Sequence, residues 1–135
     1  MKNNVIYPIV LTYEDNNILV TFPDFLYDNV TYGETMEEAI QNAKEVLTLE
    51  LAEYLDRKEE FPKATSGNDI RKFLKKNQEL VYIDMWLPYE LSLRKTIYKK
   101  KTLSIPTWLD MLATNKNINF SKVLQDTLKK ELNID

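Results

Sequence analysis

The sequence predicts an α+β fold, in which a small sheet packs against one long helix, followed by a second unit of one strand and two helices. Three patterns indicate this fold. Short apolar runs with strand-like composition cover residues 5–13, 18–22 and 30–32, apolar residues recur at three- and four-residue steps over residues 36–55, and bulky residues alternate over residues 80–87. The order β-β-β-α-β is typical of a sheet that its helix covers on one face.

The first two apolar runs predict a β-hairpin, because residues 14–17 form a polar turn between them. Pro8 has no amide hydrogen to donate, so we expect it at an edge or a bulge of the first strand. Residues 30–32 predict a short third strand that ends at Gly33.

The long helix has a defined start, because Thr35 and Glu38 have the spacing of a capping box. Its apolar face should cover the sheet. The residues of this face are Met36, Ala39, Ile40, Ala43, Val46, Leu47, Tyr54 and Leu55. Residues 57–67 are polar and contain Pro62, so they predict a loop, and residues 68–76 predict a short helix before the last strand of this part.

The C-terminal residues have a separate pattern. Residues 100–105 alternate polar and apolar side chains and predict a strand that Pro106 ends, and residues 107–116 predict a short helix. Asn117 suits the left-handed position that ends this helix, and Asn119 suits the N-cap of a second amphipathic helix. A unit below ~40 residues usually needs disulfides, metal or oligomerisation to bury a core. We therefore expect an obligate dimer through this segment.

The composition excludes several kinds of chemistry. The 135 residues include neither Cys nor His, which removes thiolate nucleophiles, imidazole bases, Ser-His-Asp triads and disulfides. We expect no catalysis, no metal ion and no cofactor. No segment approaches the ~20 apolar residues of a spanning helix, and no secretory cleavage site follows the first apolar stretch. We therefore expect a cytoplasmic protein without membrane contact.

The net charge of −3 conceals an asymmetry along the chain. Residues 1–93 carry 9 Lys and Arg against 17 Asp and Glu, a net charge of −8, whereas residues 94–135 carry 9 against 4, a net charge of +5. An acidic unit attracts basic proteins, and a small basic unit is the usual footprint of nucleic-acid binding. An unevenly charged but functionally neutral surface is an equal alternative on composition alone.

Longer stretches of the sequence resemble a known family. "YPIVLTYEDNNILVTFPDF" and "VTYGETMEEAIQNAKEVLTLEL" look like the N-terminal domain of HicB antitoxins, a partial ribonuclease-H-like βββαβ domain. "KKTLSIP", "TWLDMLATNK" and "NFSKVLQDTLKKEL" resemble the strand and two helices of the ribbon-helix-helix fold of bacterial and phage repressors. Because these stretches cover nearly the whole chain, the sequence resembles a HicB-type antitoxin of a toxin-antitoxin pair.

The resemblance implies a division of labour. Residues 1–90 would form an acidic domain that binds and neutralises a HicA-like mRNA interferase toxin, residues 91–98 a linker, and residues 99–135 a ribbon-helix-helix DNA-binding domain. The protein would repress its own operon by binding operator double-stranded DNA as a homodimer. Whether dimers pair further into a tetramer stays open.

In ribbon-helix-helix dimers, two antiparallel strands enter the major groove and read base edges, while the start of the second helix holds a backbone phosphate. The DNA-binding residues implied here are Lys99, Lys100, Thr102, Ser104, Asn119, Phe120 and Ser121. The implied dimer core contains Leu103, Ile105, Trp108, Leu112, Val123 and Leu124. Arg94, Lys95 and Lys101 either add attraction to phosphates or belong to a solvated linker.

Two other functions remain open at this point. A ribonuclease-H-like nuclease would need clustered carboxylates to hold metal ions, and Asp24, Glu34 and Asp84 have no motif spacing that joins them. A tail that only dimerises, or a repressor without a toxin, would leave the acidic domain with another role. Tyr82 and Trp86 share one face of the late strand and are either core residues or anchors for a partner.

Overall fold

The computed structural model describes residues 4–25, 30–94 and 98–134. The chain divides into two compact units, residues 2–94 and residues 95–135, which are called the N-terminal and C-terminal units below. The linker predicted over residues 91–98 includes 95–97, among them Lys95, which lie outside the described residues.

The N-terminal unit contains a four-stranded antiparallel sheet in the order β3-β2-β1-β4. The strands are β1 (Asn4–Tyr13), β2 (Ile18–Thr21), β3 (Val30–Gly33) and β4 (Gln78–Trp86), and the helices are α1 (Met36–Asp56), α2 (Gly67–Arg71) and α3 (Leu87–Ser92). The predicted order of three strands, a long helix and a fourth strand is confirmed. The last strand, β4, follows α1 and α2 in the chain and pairs antiparallel with β1, so that it forms one edge of the sheet.

The central strand β1 holds the sheet together. It pairs with β4 over residues 4–12, whereas it pairs with β2 only over residues 10–13. Pro8 therefore lies in the half of β1 that has a single pairing partner among the described residues, as its missing amide hydrogen requires. Of the two expected positions, an edge or a bulge, Pro8 has the local equivalent of an edge, since β2 does not pair with this part of β1.

The core lies between α1 and one face of the sheet. Ile9, Leu11 and Val20 point from the strands toward Leu47 and Leu51 of α1, and all five side chains are fully buried. The smaller Ala39 and Ala43 let the helix approach the sheet closely. At the start of α1, a Cβ on Gly33 would collide with the backbone of Ala39, so the turn from β3 into the helix requires glycine at this position.

The predicted start of α1 is confirmed by its cap. The Thr35 Oγ1 accepts a hydrogen bond from the Glu38 amide at 3.1 Å. Glu37 and Glu38 lie in the first turn, where negative charge favours the positive end of the helix dipole.

The segment between α1 and α2 is held by aromatic rings and polar bonds. Tyr7, Phe25, Tyr54 and Phe61 form a series of edge-to-face contacts with ring centroids 5.0, 6.4 and 6.5 Å apart. The Tyr7 hydroxyl donates to the Pro62 carbonyl at 2.6 Å. This loop was predicted as irregular, and its irregular backbone is nevertheless tied to the core.

One helix was not predicted. The short α3 begins with the fully buried Leu87, has Pro88 in its first turn, and places Leu91 against the core. Leu93 stays exposed. A six-residue helix offers only one pair of apolar residues at helical spacing, too little periodicity to distinguish it from a linker.

The C-terminal unit contains α4 (Thr107–Asn115) and α5 (Phe120–Glu131). Asn117 has the predicted left-handed conformation, with φ of 58°, and Asn119 is the predicted N-cap, its side chain accepting from the Lys122 amide at 3.1 Å. The strand predicted over residues 100–105 is not formed in this single chain. A strand needs hydrogen bonds from a neighbouring strand, and the described part of this unit contains no other.

Truncating the buried side of α1 should destabilise the N-terminal unit. We expect Leu47→Ala to lower its free energy of unfolding by about 2–5 kcal/mol, because the side chain is fully buried and leaves a cavity. Leu49→Ala on the same helix, at a side chain that is 52% exposed, should change it by less than about 0.5 kcal/mol. Urea denaturation followed by Trp86 fluorescence, in a Trp108→Phe background, measures both. Equal effects would contradict this assignment of the helix faces.

The buried phenol of Tyr7 should make stability depend on alkaline pH. Burial, with the nearby Asp24 carboxylate second, raises the pKa of Tyr7 from 10.0 to about 12. As the pH rises, the Tyr7 phenol loses its proton in the unfolded chain before it does so in the folded chain. The contribution of Tyr7 to the free energy of unfolding is therefore complete below pH 10 and is lost as the pH rises through 12. We expect the free energy of unfolding to fall over this window by about 1–2 kcal/mol, because solvent screens part of the interaction of the phenol with its surroundings.

Tyr7→Phe is the matched control, since it keeps the ring and removes the ionisable group. The variant should lose about 1 kcal/mol at neutral pH with the hydrogen bond to Pro62. Between pH 10 and 12 its stability should fall less than that of the unsubstituted chain, by the same urea measurement. Parallel declines would show that Tyr7 does not titrate as its burial requires.

Candidate functional surfaces

The C-terminal unit has helices without a core of their own. Neither α4 nor α5 contains a buried side chain. Of the residues predicted to form the dimer core, only Leu124 is partly buried in this chain. The others are exposed, with Leu103 64% and Trp108 63% accessible to solvent; they are Leu103, Ile105, Trp108, Leu112 and Val123. Large apolar side chains in such number on a small unit are typical of a surface that contacts another molecule.

The residues predicted to bind DNA all lie in this unit and are all exposed. Lys99, Lys100, Thr102 and Ser104 lie on the segment that precedes α4. Asn119, Phe120 and Ser121 lie at the start of α5, where an α-helix leaves its first amides without intrahelical acceptors. The cap at Asn119 is formed as expected, and the Lys122 ammonium is 3.1 Å from the Asp126 carboxylate one turn later.

The N-terminal unit displays acidic side chains on the solvent side of α1. Glu37, Glu45, Glu53 and Asp56 are exposed. Arg57 is 3.8 Å from Glu53 and 3.2 Å from Glu59, but these exposed pairs contribute little stability. The surface of this helix is therefore suited to a positively charged partner.

A shallow groove of about 260 Å³ lies between α1 and α3. Its lining includes Thr48 and Leu49 together with the charged residues Glu45, Glu90 and Arg94. The groove combines exposed apolar surface with charges of both signs, so its electrostatics favour neither an acidic nor a basic ligand.

The solvent face of the sheet carries exposed aromatic side chains. Tyr82 and Trp86 share one face of β4, as predicted, and they point away from α1, so they are not core residues: they are 47% and 41% exposed. Between them lies Asp84, and Ile6, opposite Asp84 on β1, is 53% exposed. Sequence reasoning missed Ile6, which the alternation of β1 around the buried Val5 and Tyr7 indicates.

The three carboxylates considered for a nuclease site have separate roles. The Asp24 Oδ1 accepts hydrogen bonds from the Thr65 amide at 2.8 Å and the Thr65 hydroxyl at 2.5 Å, which ties the end of the hairpin to the segment before α2. Asp84 accepts from the Asn4 amide group at 2.6 Å, and Glu34 lies exposed before α1. In the described ranges, no three acidic side chains converge to hold a metal ion.

None of the described helices is long and apolar enough to cross a membrane.

The profile of a protein family, described as HicB_like antitoxin of bacterial toxin-antitoxin system, matches residues 7–127. This chain belongs to the HicB-like antitoxin family. The match runs through both units and includes β2, β3, β4, α1 and α4, with most of β1 and most of α5. Membership makes the protein a regulatory antitoxin of a toxin-antitoxin system rather than an enzyme.

Two solved structures of toxin-antitoxin proteins are similar to this HicB-like chain. A chain of a toxin-antitoxin complex from Streptococcus pneumoniae is 27% identical, with a TM-score of 0.55, and the alignment covers 95% of this chain and 99% of that one. The antitoxin HicB of Burkholderia pseudomallei is 19% identical, with a TM-score of 0.51, over 95% of this chain and 96% of the other, which shows similarity of fold. No curated protein matches the chain.

Proposed function

We propose that this protein is the antitoxin of a type II toxin-antitoxin pair that neutralises a HicA-like mRNA interferase by direct binding and represses its own operon. The observation that carries the proposal is the family match over residues 7–127, which spans both units. The similar Streptococcus pneumoniae chain comes from a toxin-antitoxin complex and is covered almost completely. In this proposal, residues 1–90 form the toxin-binding domain of partial ribonuclease-H-like fold, and both molecules act in the cytoplasm.

The charge of the N-terminal unit supports binding of a basic toxin. With a net charge of −8 over residues 1–93 and an exposed acidic stripe on α1, it attracts a positively charged RNA-binding protein and repels RNA itself. Complementary charge accelerates the encounter of two proteins and rejects unsuitable partners. A toxin held in this way is kept from its messenger RNA substrate.

The exposed apolar residues of the C-terminal unit support assembly as a ribbon-helix-helix dimer over residues 99–135, joined to the first domain by a linker at 91–98. Two copies of residues 100–105 supply each other with the strand partner that one chain lacks. The pairing buries Leu103 and Ile105 together with Trp108, Leu112, Val123 and Leu124.

The same pairing presents a polar face to operator DNA. Lys100, Thr102 and Ser104 face the major groove, where lysine donates to guanine and hydroxyls donate or accept. Lys99 and the first turn of α5, at Asn119, Phe120 and Ser121, contact backbone phosphates. Further pairing of dimers into a tetramer is compatible with this arrangement.

The test is co-expression with the product of the adjacent gene, affinity purification of the complex, and a gel shift on the DNA upstream of the operon across a salt series. We expect a stable complex, suppression of the toxin's RNA cleavage, and DNA binding that weakens steeply with salt. DNA binding without a protein partner would instead favour a repressor with an acidic assembly domain. A complex without DNA binding would reduce the C-terminal unit to a dimerisation element.

Substitutions on the predicted strand should separate base reading from phosphate contact. Thr102→Ala and Ser104→Ala should each reduce discrimination between operator and random DNA by about 1–3 kcal/mol, because each removes a base contact. Lys99→Ala should instead weaken binding to all DNA similarly and reduce the salt dependence. Fluorescence anisotropy with both DNAs measures these effects, and analytical ultracentrifugation shows whether the variants still dimerise. Unchanged discrimination in a dimeric double variant would falsify the assignment.

A further inference from the structure

Tyr82, Asp84 and Trp86 of β4, with Ile6 of β1, form what we call the Asp84 slot. The three β4 residues alternate along the strand and therefore share one face of the sheet. Ile6 lies opposite Asp84 in the register, so Tyr82 and Trp86 are its diagonal neighbours, roughly 7–8 Å away by the usual spacing of strands. The slot thus has a carboxylate at its centre, an aromatic ring on each side and an apolar flank.

The carboxylate in the slot is oriented by its neighbour. The Asn4 side-chain amide donates to the Asp84 Oδ1 at 2.6 Å. A carboxylate offers two oxygens and several acceptor sites, so this bond, the one that Asp84 accepts from the described residues, orients the group and leaves acceptor capacity for a ligand. An apolar partner would leave this carboxylate without a counter-charge, whereas a cation would gain from the charge and from the two neighbouring aromatic rings.

The slot is bounded on one side only. Near Tyr82, the helix α2 packs so closely that a Cβ on Gly67 would collide with the Tyr82 hydroxyl. On the other side, β4 is the last strand of the sheet, and no described strand pairs with its outer edge. An open edge nine residues long presents backbone donors and acceptors to a further strand.

Two candidates could supply that strand: a second copy of this chain and a segment of a basic partner protein. Charge distinguishes them. A second copy would bring together two units that each carry a net charge of −8 over residues 1–93, and β4 itself contains Asp84 on this face and no basic residue. A basic partner gains from the same charges. A residue on an added strand opposite Asp84 would project its side chain from the same face, next to the Asp84 side chain and within reach of the slot.

We propose that the open edge of β4 binds an extended basic segment of the partner protein as a fifth strand, with one arginine or lysine seated in the Asp84 slot. This inference rests on the proposed toxin partnership and specifies its contact. The backbone pairing supplies affinity independent of sequence, and the slot selects a segment with a basic residue flanked by apolar residues two positions away on either side.

The test measures binding of the purified toxin to full-length variants by isothermal titration calorimetry. Asp84→Asn should weaken binding about tenfold through loss of a charge-assisted contact. Trp86→Ala should weaken it about tenfold through loss of a ring at the interface. Asp84→Arg should weaken it about 100-fold, because it places like charges together. Glu79→Gln, which removes a charge from the same strand and keeps an acceptor for Tyr13, should bind within about twofold of the unsubstituted chain.

Hydrogen-deuterium exchange of the same complex reports on the backbone. Alternate amides of β4 point away from β1, and they should become protected when the toxin binds. The β1 amides serve as the folding control. If their exchange rates are the same in all variants, each variant is folded.

Each outcome has a distinct meaning. If the unsubstituted chain binds the toxin and the Asp84 and Trp86 variants bind it equally well, the proposed contact at the Asp84 slot is wrong. The proposed antitoxin function is unaffected by that result. Protection of β4 by self-association before toxin is added would assign the edge to a second copy and overturn the inference. Absence of any toxin binding by the unsubstituted chain would overturn both the proposed function and this contact.

Discussion

The pairing of β1 with β4 is the constraint on which the N-terminal unit depends. It joins residues 4–12 to residues 78–86. The pairing therefore brings together the two ends of the segment that contains β2, β3, α1 and α2. The alternation of β1 then decides both surfaces. Tyr7, Ile9 and Leu11 anchor α1 on one side, while Ile6 is left on the other with the aromatic residues of β4. A slip of one residue would exchange the core and the solvent face.

Much of this unit follows from local sequence rules. The hairpin, the capped start of α1 and its apolar face are encoded by residues that are neighbours in sequence, such as Thr35 and Glu38, and these elements were predictable. The position of β4 next to β1 depends on contacts between residues far apart in sequence. The same holds for the attachment of the 57–66 segment, which relies on Tyr7 reaching Pro62 and on Asp24 reaching Thr65. Neither contact leaves a periodic signal.

The candidate sites show the same division. The polar and apolar alternation around Thr102, and the cap at Asn119, could be recognised from sequence because each is a local pattern. The exposure of Tyr82 and Trp86 could not be predicted from the sequence, because an aromatic residue in a strand is compatible with either face of the sheet until the register is known. Asp84 acquires its setting only from strand pairing, which places Ile6 and Asn4 beside it.

The absence of buried side chains in α4 and α5 has a consequence for dosage. A unit that completes its core only by pairing becomes folded in proportion to the square of chain concentration when chains are scarce. In the proposed function, capture of the toxin by the N-terminal unit depends on the first power of that concentration. In the proposed function, a falling supply of antitoxin therefore releases transcription of the operon before it releases the toxin. In this proposal, synthesis of the antitoxin resumes while the toxin is still bound.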